Sequence, residues 1–477
     1  MSRRVLMALV PVLVAIGGPT AWAQRPFPTD LLPTQANVSR LGLERQWYSV
    51  VPLAGVDDRV LDFTVDQGVF VVHTSGGYIH TFDAETGRYF WGASIGHKTA
   101  KAFPASVNSN QIFVTSLNEL IGFDRATGRK LFDVDLENLP ATGTGCDEEL
   151  AMVGLRSGKL VAFNTRDHST DGTPRGQAAG SFAFAWQTKG MLTARPLVAE
   201  KLIAFGSADH RVYVALKART GGVIGGSTKL LFRYLTAGPI SANLAAYGNR
   251  TLVIPSGDNN VYAVDLLNAT TRWSVATGAP VDQEPLVFRQ DVFVINAEGR
   301  VLNIDALTGE LKWSTPTGCK VLLAVTPSRL YLRTATNELV ILDRANGKVV
   351  ASARDTLERA GLNLRPFVLS FPNYYDDRLY YSTPNGLIIC LREIGRTKPT
   401  TLRDPTLAPF GTIPKEGLLT ETEEPIYLTP SGELKYESKP PSEDENQEVP
   451  APANADPFAQ DKNADPFAQD NAAPAFP

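Results

Sequence analysis

Short apolar runs separated by turn signals extend through the body of the chain. In residues 67–74 the run QGVFVVHT is followed by the turn pair Ser75-Gly76 and by a second apolar run from Tyr78 onward. Runs of four to eight residues rich in β-branched and aromatic side chains, bounded by Gly, Ser, Asn and Asp, are typical of β-strands joined by tight turns. The pattern predicts an all-β fold built from hairpins.

A second hairpin signal recurs with the spacing Asp-x-x-Thr/Asn-Gly, often followed by Trp four residues later. The Asp carboxylate can accept hydrogen bonds from backbone amides two residues on, and Gly tolerates the positive φ that closes such a turn. The Trp then lies on a return strand, where its ring can fill space between packed sheets. The recurring residues are Asp83, Gly87, Trp91, Asp124, Gly128, Asp265, Trp273, Asp305, Gly309, Trp313, Asp343 and Gly347.

The repeat spacing predicts the architecture. Each unit has three strands and a return strand, and repeated four-stranded antiparallel units of this length are typical of a β-propeller. The last unit ends near Leu391 without a return strand, whereas residues 44–51 form a return strand without a preceding unit. We therefore predict an eight-bladed β-propeller closed by the N-terminal strand, with seven blades as the alternative if a weak copy is misread. The return strands are marked by Trp47, Trp91, Phe132, Trp186, Phe232, Trp273, Trp313 and Ala351.

The two ends of the chain do not share this pattern. Residues 1–23 have the basic start, apolar stretch and small-x-small site of a secretory signal peptide, and the alternative is an N-terminal membrane anchor. Paired arginines at positions 3 and 4 leave both general secretion and twin-arginine export open. We predict a lead-in at 24–43, the propeller at 44–395, and export to the periplasm or cell envelope with no transmembrane segment after cleavage.

Residues 396–477 are predicted to form a disordered acidic tail rich in Pro, Glu and Asp. From position 392 onward, 8 Lys and Arg stand against 16 Asp and Glu. The octapeptide NADPFAQD occurs twice in this tail and carries Phe458 and Phe467. An aromatic residue in a polar, disordered background fits a docking peptide, and a slipped duplication without a role fits equally well.

Two links between third and return strands are longer than the others, at 165–181 and 218–229. They belong to neighbouring units, so the same face of a propeller should carry both. Long loops on a rigid scaffold often bind partners, although neutral drift at a tolerant site is the alternative. The candidate partner-binding cations in these loops are Arg166, Arg175, Arg219 and Lys229.

The Asp-x-x-Thr-Gly-x-x-x-Trp copies, over about residues 44–393, resemble the pyrroloquinoline-quinone-like propeller repeat. Two groups carry it: quinoprotein dehydrogenases and the non-catalytic BamB outer-membrane assembly factors. The resemblance implies that an enzyme of the first group would hold its quinone against a disulfide of two adjacent cysteines, beside a calcium ion. Here Cys146, Cys319 and Cys390 are far apart, and most units lack the insertions that build a cofactor site. A lipid-anchor Cys, expected of BamB, is also missing.

These features together favour a non-catalytic, BamB-like envelope scaffold that binds proteins, is monomeric, and has no cofactor, catalytic residue or metal site. The alternative is a quinoprotein-type dehydrogenase that binds pyrroloquinoline quinone and calcium. A net charge of −4 argues against a nucleic-acid partner. His73 and His80 are expected to face each other across a hairpin, as polar packing and not as a metal site.

Overall fold

The computed structural model describes residues 31–99, 101, 103–167, 178–217, 230–404, 406–407 and 410–411. Within these residues, 32 strands form eight sheets of four antiparallel strands each. The sheets are the blades of a β-propeller, which confirms the predicted fold class and the count of eight.

The first four blades follow one another along the chain, and each is a simple meander. Blade 1 contains β2 (Val60–Asp66), β3 (Val69–Thr74), β4 (Tyr78–Asp83) and β5 (Tyr89–Ser94). Blade 2 contains β6 (Ser106–Val107), β7 (Gln111–Ser116), β8 (Glu119–Asp124) and β9 (Lys130–Asp135). Blade 3 contains β10 (Gly145–Cys146), β11 (Leu150–Gly154), β12 (Lys159–Asn164) and β13 (Phe182–Gln187). Blade 4 contains β14 (Leu197–Val198), β15 (Leu202–Gly206), β16 (Arg211–Leu216) and β17 (Leu230–Leu235).

The remaining blades repeat this order, except that the eighth takes its fourth strand from the N-terminal part of the chain. Blade 5 contains β18 (Ala245–Tyr247), β19 (Thr251–Pro255), β20 (Asn260–Asp265) and β21 (Thr271–Ala276). Blade 6 contains β22 (Leu286–Phe288), β23 (Asp291–Ile295), β24 (Arg300–Asp305) and β25 (Leu311–Pro316). Blade 7 contains β26 (Val321–Val325), β27 (Arg329–Arg333), β28 (Leu339–Asp343) and β29 (Val349–Ala351). Blade 8 contains β30 (Leu369–Ser370), β31 (Leu379–Ser382), β32 (Leu387–Glu393) and β1 (Leu43–Val50).

Helices are short in the described residues. An α-helix, α1 (Gln35–Ser39), precedes β1, and its Thr34 side chain accepts a hydrogen bond from the backbone N–H of Asn37. A π-helical turn (Asp355–Arg359) follows β29. No helix in this part of the chain has the length and apolar character needed to cross a membrane.

Burial changes from the centre of the ring to its rim. First strands of successive blades contact one another, as β2 does with β6 and β30, so they lie innermost. The second and third strands are almost wholly buried, as in β3. The fourth strand alternates between exposed and partly buried side chains, as in β17, because only one of its faces meets a neighbouring blade.

The hydrophobic core is divided into eight clusters, one between each pair of neighbouring blades. Between blades 2 and 3, for example, Phe113 and Leu120 lie in one cluster with Val153 and Phe163. No blade can therefore bury its faces without both neighbours, and the ring forms as a unit.

Neighbouring blades are also joined by one repeated contact, which we call the indole latch. The indole N–H of a Trp on the fourth strand donates to the carbonyl after the turn Asp of the next blade. For Trp91 and Arg125 the N···O distance is 2.9 Å. The same contact joins Trp47 to Ala84, Trp273 to Ala306 and Trp313 to Arg344.

The turn glycines complete the latch. Gly87, Gly128, Gly309 and Gly347 have φ angles of +70°, +72°, +76° and +69°, as expected from the turn. A Cβ on Gly128 would lie 2.4 Å from the ring of Trp91, which is closer than any real contact. Glycine is thus required for its backbone angle and for the space that the indole occupies.

The N-terminal strand closes the ring, as predicted. β1 pairs with β32 from Leu43↔Glu393 to Val50↔Leu387. Fully buried Arg378 of blade 8 pairs with Asp377 at 2.9 Å and reaches Glu85 of blade 1 at 3.4 Å. Blade 8 therefore meets blade 1 through hydrogen bonds and ion pairs as well as through the Trp47 latch.

The latch predicts unequal costs for two glycine substitutions. Gly68 has φ +76°, but no atom lies near the position of its missing Cβ. Gly68→Ala should therefore lower the free energy of unfolding only by the cost of this backbone angle for alanine, about 1–2 kcal/mol. Gly128→Ala adds a steric overlap with Trp91 and should lower the free energy of unfolding by about 1–3 kcal/mol more. Urea unfolding of the two variants measures the difference, and equal losses would contradict the latch.

Ring closure predicts the effect of an N-terminal deletion. Removing residues 24–51 should leave β32 as an open strand edge and cause unfolding or aggregation. Removing only 24–30 keeps α1 and β1 and should leave the thermal transition unchanged. Circular dichroism and light scattering follow both; a monomeric, cooperatively folded product of the longer deletion would disprove the role of β1.

Candidate functional site

Two sets of loops leave the propeller on one side, which we call the turn face. Strands alternate in direction within a blade, so the first-to-second and third-to-fourth connections lie on the same side. The latch turns and the long loops at 165–181 and 218–229 therefore share this face, since β12–β13 and β16–β17 are third and fourth strands.

The first long loop has fixed ends. The Thr165 backbone N–H donates to the Glu149 carbonyl at 3.0 Å, and the Gly180 N–H donates to the Asn164 carbonyl at 2.8 Å. Gly180 has φ +81°, and a Cβ there would lie 2.8 Å from the ring of Phe132. Gly180 thus stands where other blades have the latch glycine, with Phe132 in place of Trp, and the extra residues precede it.

The structure describes one of the predicted partner-binding residues. Arg166 is exposed and lies 3.5 Å from the carboxylate of Glu149. The others, Arg175, Arg219, Lys229, Phe458 and Phe467, lie outside the described residues. The basic patch and the docking role of the tail repeats stay predictions.

Exposed apolar side chains flank the long loops on the fourth strands of blades 3 and 4. Phe182 opens β13 and is 54% exposed. Leu231, near the start of β17, is 38% exposed. Exposed side chains of this kind, next to loops with fixed ends, fit a surface that contacts another protein.

The turn face also opens into a central cavity of about 920 Å³. Its walls come from the inner strands and adjoining loops of blades 1, 4, 5, 6 and 8. A smaller cavity of about 200 Å³ continues from it and shares Asp66, Arg195, Leu197, Leu244 and Glu284. We call the two together the lumen.

Charged side chains lie inside the lumen. Asn243 accepts a hydrogen bond from the Arg195 backbone N–H at 2.8 Å and donates to the Glu284 carboxylate at 3.1 Å. Asp66 accepts from the Val107 N–H at 2.9 Å. Burial raises the pKa of both Asp66 and Glu284, and the nearby positive charge of Arg195 partly opposes this.

The chain after β32 continues across the mouth of the cavity. The Thr400 N–H donates to Asp377 at 3.0 Å, and the Leu402 N–H to the Tyr375 carbonyl at 2.9 Å. Leu402 is buried in the cluster between blades 6 and 7. The Arg403 side chain then reaches the Gly248 carbonyl of blade 5 at 2.9 Å.

We call residues 397–411 the strap. Its far end lies against blades 4 and 5, where the Gly411 N–H donates to the Asn249 carbonyl and the Phe410 carbonyl accepts from Glu200. Described contacts with the blades thus continue past the predicted boundary at residue 395. The polar composition of this segment did not predict the strap, because few apolar side chains, such as Leu402 and Phe410, hold it among the described contacts.

The expected arrangement of His73 and His80 is wrong. His73 pairs with Ile79, and His80 with Val72, so the two rings point to opposite faces of the sheet. Burial lowers the pKa of each to about 4. Both histidines are neutral core residues at pH 7.

The described residues contain no group of three His, Cys, Asp or Glu side chains placed to hold a metal ion. Cys146, Cys319 and Cys390 are unpaired. Burial raises the pKa of Cys146 and Cys390 well above the ordinary value, so their thiols are not nucleophilic at neutral pH.

Sequence reasoning missed the lumen residues. Asp66, Arg195 and Glu284 come from blades 1, 4 and 6, and no motif joins them. A weak signal exists: Arg195 and Glu284 each lie two residues before a first strand, and Asp66 ends one. Equivalent positions in other units also hold polar residues, such as Asn243 and Asn108, so aligning the repeats would not single them out.

Two solved structures resemble this chain at low identity. The crystal structure of BamB from Moraxella catarrhalis has a TM-score of 0.57 and 14% identity, covering 74% of this chain and 98% of that one. The computationally designed Ika8 protein has a TM-score of 0.54 and 13% identity, covering 71% and 97%. At such identities the likeness shows the fold alone.

Comparison with curated proteins gives no match. The family model described as outer membrane protein assembly factor BamB matches residues 17–230 and 208–425. These two stretches span most of the chain and include every blade. The chain therefore belongs to the BamB family.

Proposed function

We propose that the protein is an exported, non-catalytic scaffold of the cell envelope that binds protein partners through its turn face. Membership of the BamB family and the predicted signal peptide at 1–23 support this location. The family's description, outer membrane protein assembly factor, suggests the process that the scaffold serves.

The observation that carries the proposal is the composition of blades 3 and 4. Adjacent blades carry the two long loops on one face, and the fourth strands expose Phe182 and Leu231 near the ends that join these loops. The rigid ring fixes the loop ends, so that binding a partner costs less conformational entropy. Exposed cations such as Arg166 would steer an acidic partner toward it.

The dehydrogenase alternative has less support. Its quinone would need two adjacent cysteines, whereas the lumen has Cys146 alone among its lining residues. The recurring aspartates are occupied in the turns: the Asp83 carboxylate accepts from the backbone N–H groups of Glu85 and Thr86 at 3.1 and 2.7 Å. These carboxylates lie in separate blades and do not form a metal site.

Site-specific crosslinking tests the partner surface. A photo-crosslinking amino acid at Leu231 should give discrete adducts with envelope proteins in living cells. The matched control is Val350 on the fourth strand of blade 7, which is 51% exposed and beside a short turn. Replacing 166–179 and 218–229 with turns of ordinary length should remove the Leu231 adducts while the thermal transition is kept.

Adducts of equal yield at Leu231 and Val350 would contradict a partner surface on blades 3 and 4. A chain ending at residue 411 keeps the strap and tests the tail separately. If Phe458 and Phe467 belong to a docking peptide, this chain should lose some of the adducts that the loop variant retains.

Cofactor binding separates the two functions. Pyrroloquinoline quinone with calcium should give no saturable change in the absorption spectrum of the purified protein and no dehydrogenase turnover. Stoichiometric binding with alcohol or sugar oxidation would favour the enzyme. A known quinoprotein dehydrogenase treated in parallel is the positive control.

A further inference from the structure

The lumen has features that neither the blades nor a partner surface explains. Propeller packing needs small or apolar side chains on the inner strands, yet Arg195, Asp66 and Glu284 lie there. A charged group removed from bulk water destabilises a protein unless it is paired, so such groups are retained where they have another task.

Arg195 is the clearest case. Its backbone N–H donates to Asn243, but among the described residues none accepts a hydrogen bond from its guanidinium or pairs with it as an ion. The side chain lines both cavities, so its free donors face the space inside. A guanidinium presents a planar fork that matches the two oxygens of a carboxylate.

The two lumen carboxylates have unused acceptors. One oxygen of Asp66 accepts from Val107, and one oxygen of Glu284 from Asn243. Neither carboxylate forms an ion pair within the described residues. Burial raises the pKa of both carboxyl groups, and the positive charge of Arg195 and their hydrogen bonds offset this only in part.

The deep lumen therefore has one cation and two anions; Arg195 is close enough to lower the pKa of both carboxylates but forms no ion pair with either among the described contacts. When all three are ionised, a matching ligand has one carboxylate and two cationic groups. At the mouth, the exposed charged side chains are already engaged: Arg289 with the Phe288 ring, Arg403 with Gly248, and Asp404 with Thr406. Their charges lie in water and are screened.

Aromatic walls complete the site. Phe371 and Tyr374 line the larger cavity. Phe288 does so too, but its ring already lies 5.3 Å from the guanidinium groups of Arg289 and Arg344. Aromatic faces attract organic cations. Burial raises the pKa of Tyr374 well above its ordinary value, so its hydroxyl stays a neutral hydrogen-bond donor. The strap covers part of the opening, and the volume of about 920 Å³ is within the usual range of small-molecule sites.

We propose that the lumen binds a dibasic amino acid, either free or as the last residue of a dipeptide, in which the N-terminal amine of the dipeptide replaces the α-amine as the second cation. Its carboxylate lies on Arg195, and its cationic groups lie on Asp66 and Glu284. This site is independent of the partner surface on blades 3 and 4, so either proposal can fail without the other.

A ligand series tests the chemistry by isothermal titration calorimetry on the mature protein. L-Arginine should bind saturably. Agmatine lacks the carboxylate and citrulline lacks the side-chain charge, and each should bind roughly tenfold or more weakly. Glycyl-L-arginine distinguishes the sources: affinity equal to that of L-arginine indicates a peptide end, and much lower affinity indicates the free amino acid.

Three variants assign the residues. Arg195→Met should weaken L-arginine binding roughly tenfold or more and leave agmatine unchanged, because agmatine has no carboxylate to lose. Glu284→Gln should weaken the binding of both L-arginine and agmatine. The matched control Arg359→Met removes an arginine whose side chain is 83% exposed on the π-helical turn and should change neither.

The thermal transition of ligand-free protein, together with the ligand series, separates ligand binding from a structural role. Arg195→Met removes the positive charge that lowers the pKa of Asp66 and Glu284, so a drop in the transition at pH 7 is expected with or without a ligand site. A drop accompanied by equal loss of L-arginine and agmatine binding would make Arg195 a structural residue and overturn the proposal. Should Arg195→Met fail to fold, Arg195→Lys keeps the charge without the fork and should still weaken L-arginine selectively over agmatine.

Absence of saturable binding by both L-arginine and L-lysine at millimolar concentration would overturn the proposal. An equal loss of L-arginine and agmatine binding in a folded Arg195→Met variant would do so too. Loss of the Leu231 crosslinks with ligand binding intact would affect only the proposed scaffold function.

Discussion

The structure depends on the indole latch, in which a Trp of one blade rests on the turn glycine of the next. No blade of this chain has a core of its own, because every hydrophobic cluster lies between two blades. The latch adds direction to this packing, since the indole N–H finds its acceptor only at one rotation between neighbours. Among the described residues the latch is made at four of the eight interfaces, and one of the four joins blade 8 to blade 1, where β1 completes the last sheet.

Where the latch changes, the surface changes with it. Between blades 2 and 3, Phe132 of blade 2 replaces the Trp and Gly180 of blade 3 keeps the glycine position, although the chain between the third and fourth strands of blade 3 is longer than in most blades. In blade 5 the position is Ala269, which takes φ +60° at a steric cost that Gly would not have. The ring tolerates these departures because its other contacts hold the blades in place. Blades 3 and 4 can thus carry longer loops without loss of the fold.

The lumen is also a consequence of how the blades are arranged around the ring. Eight first strands around one axis leave a central space that their own side chains do not fill, and the strap crosses its mouth. Asp66, Arg195 and Glu284 meet there only because blades 1, 4 and 6 face a common axis. A small-molecule site in the lumen and a protein-binding surface on the turn face are compatible, since the loops and the lumen use different residues.

Sequence alone determined the local structure and, through its repeats, the architecture. Asp83, Gly87 and Trp91 act within a few residues of one another, so their spacing predicts the turn and the return strand. The unpaired strand around Trp47 predicted ring closure by the same counting. Register, the strap and the lumen required the tertiary structure, because His73, Leu402 and Arg195 owe their surroundings to residues that are distant in sequence. Local patterns are set by short-range backbone preferences, whereas burial and charge pairing depend on which distant strands the closed ring brings together.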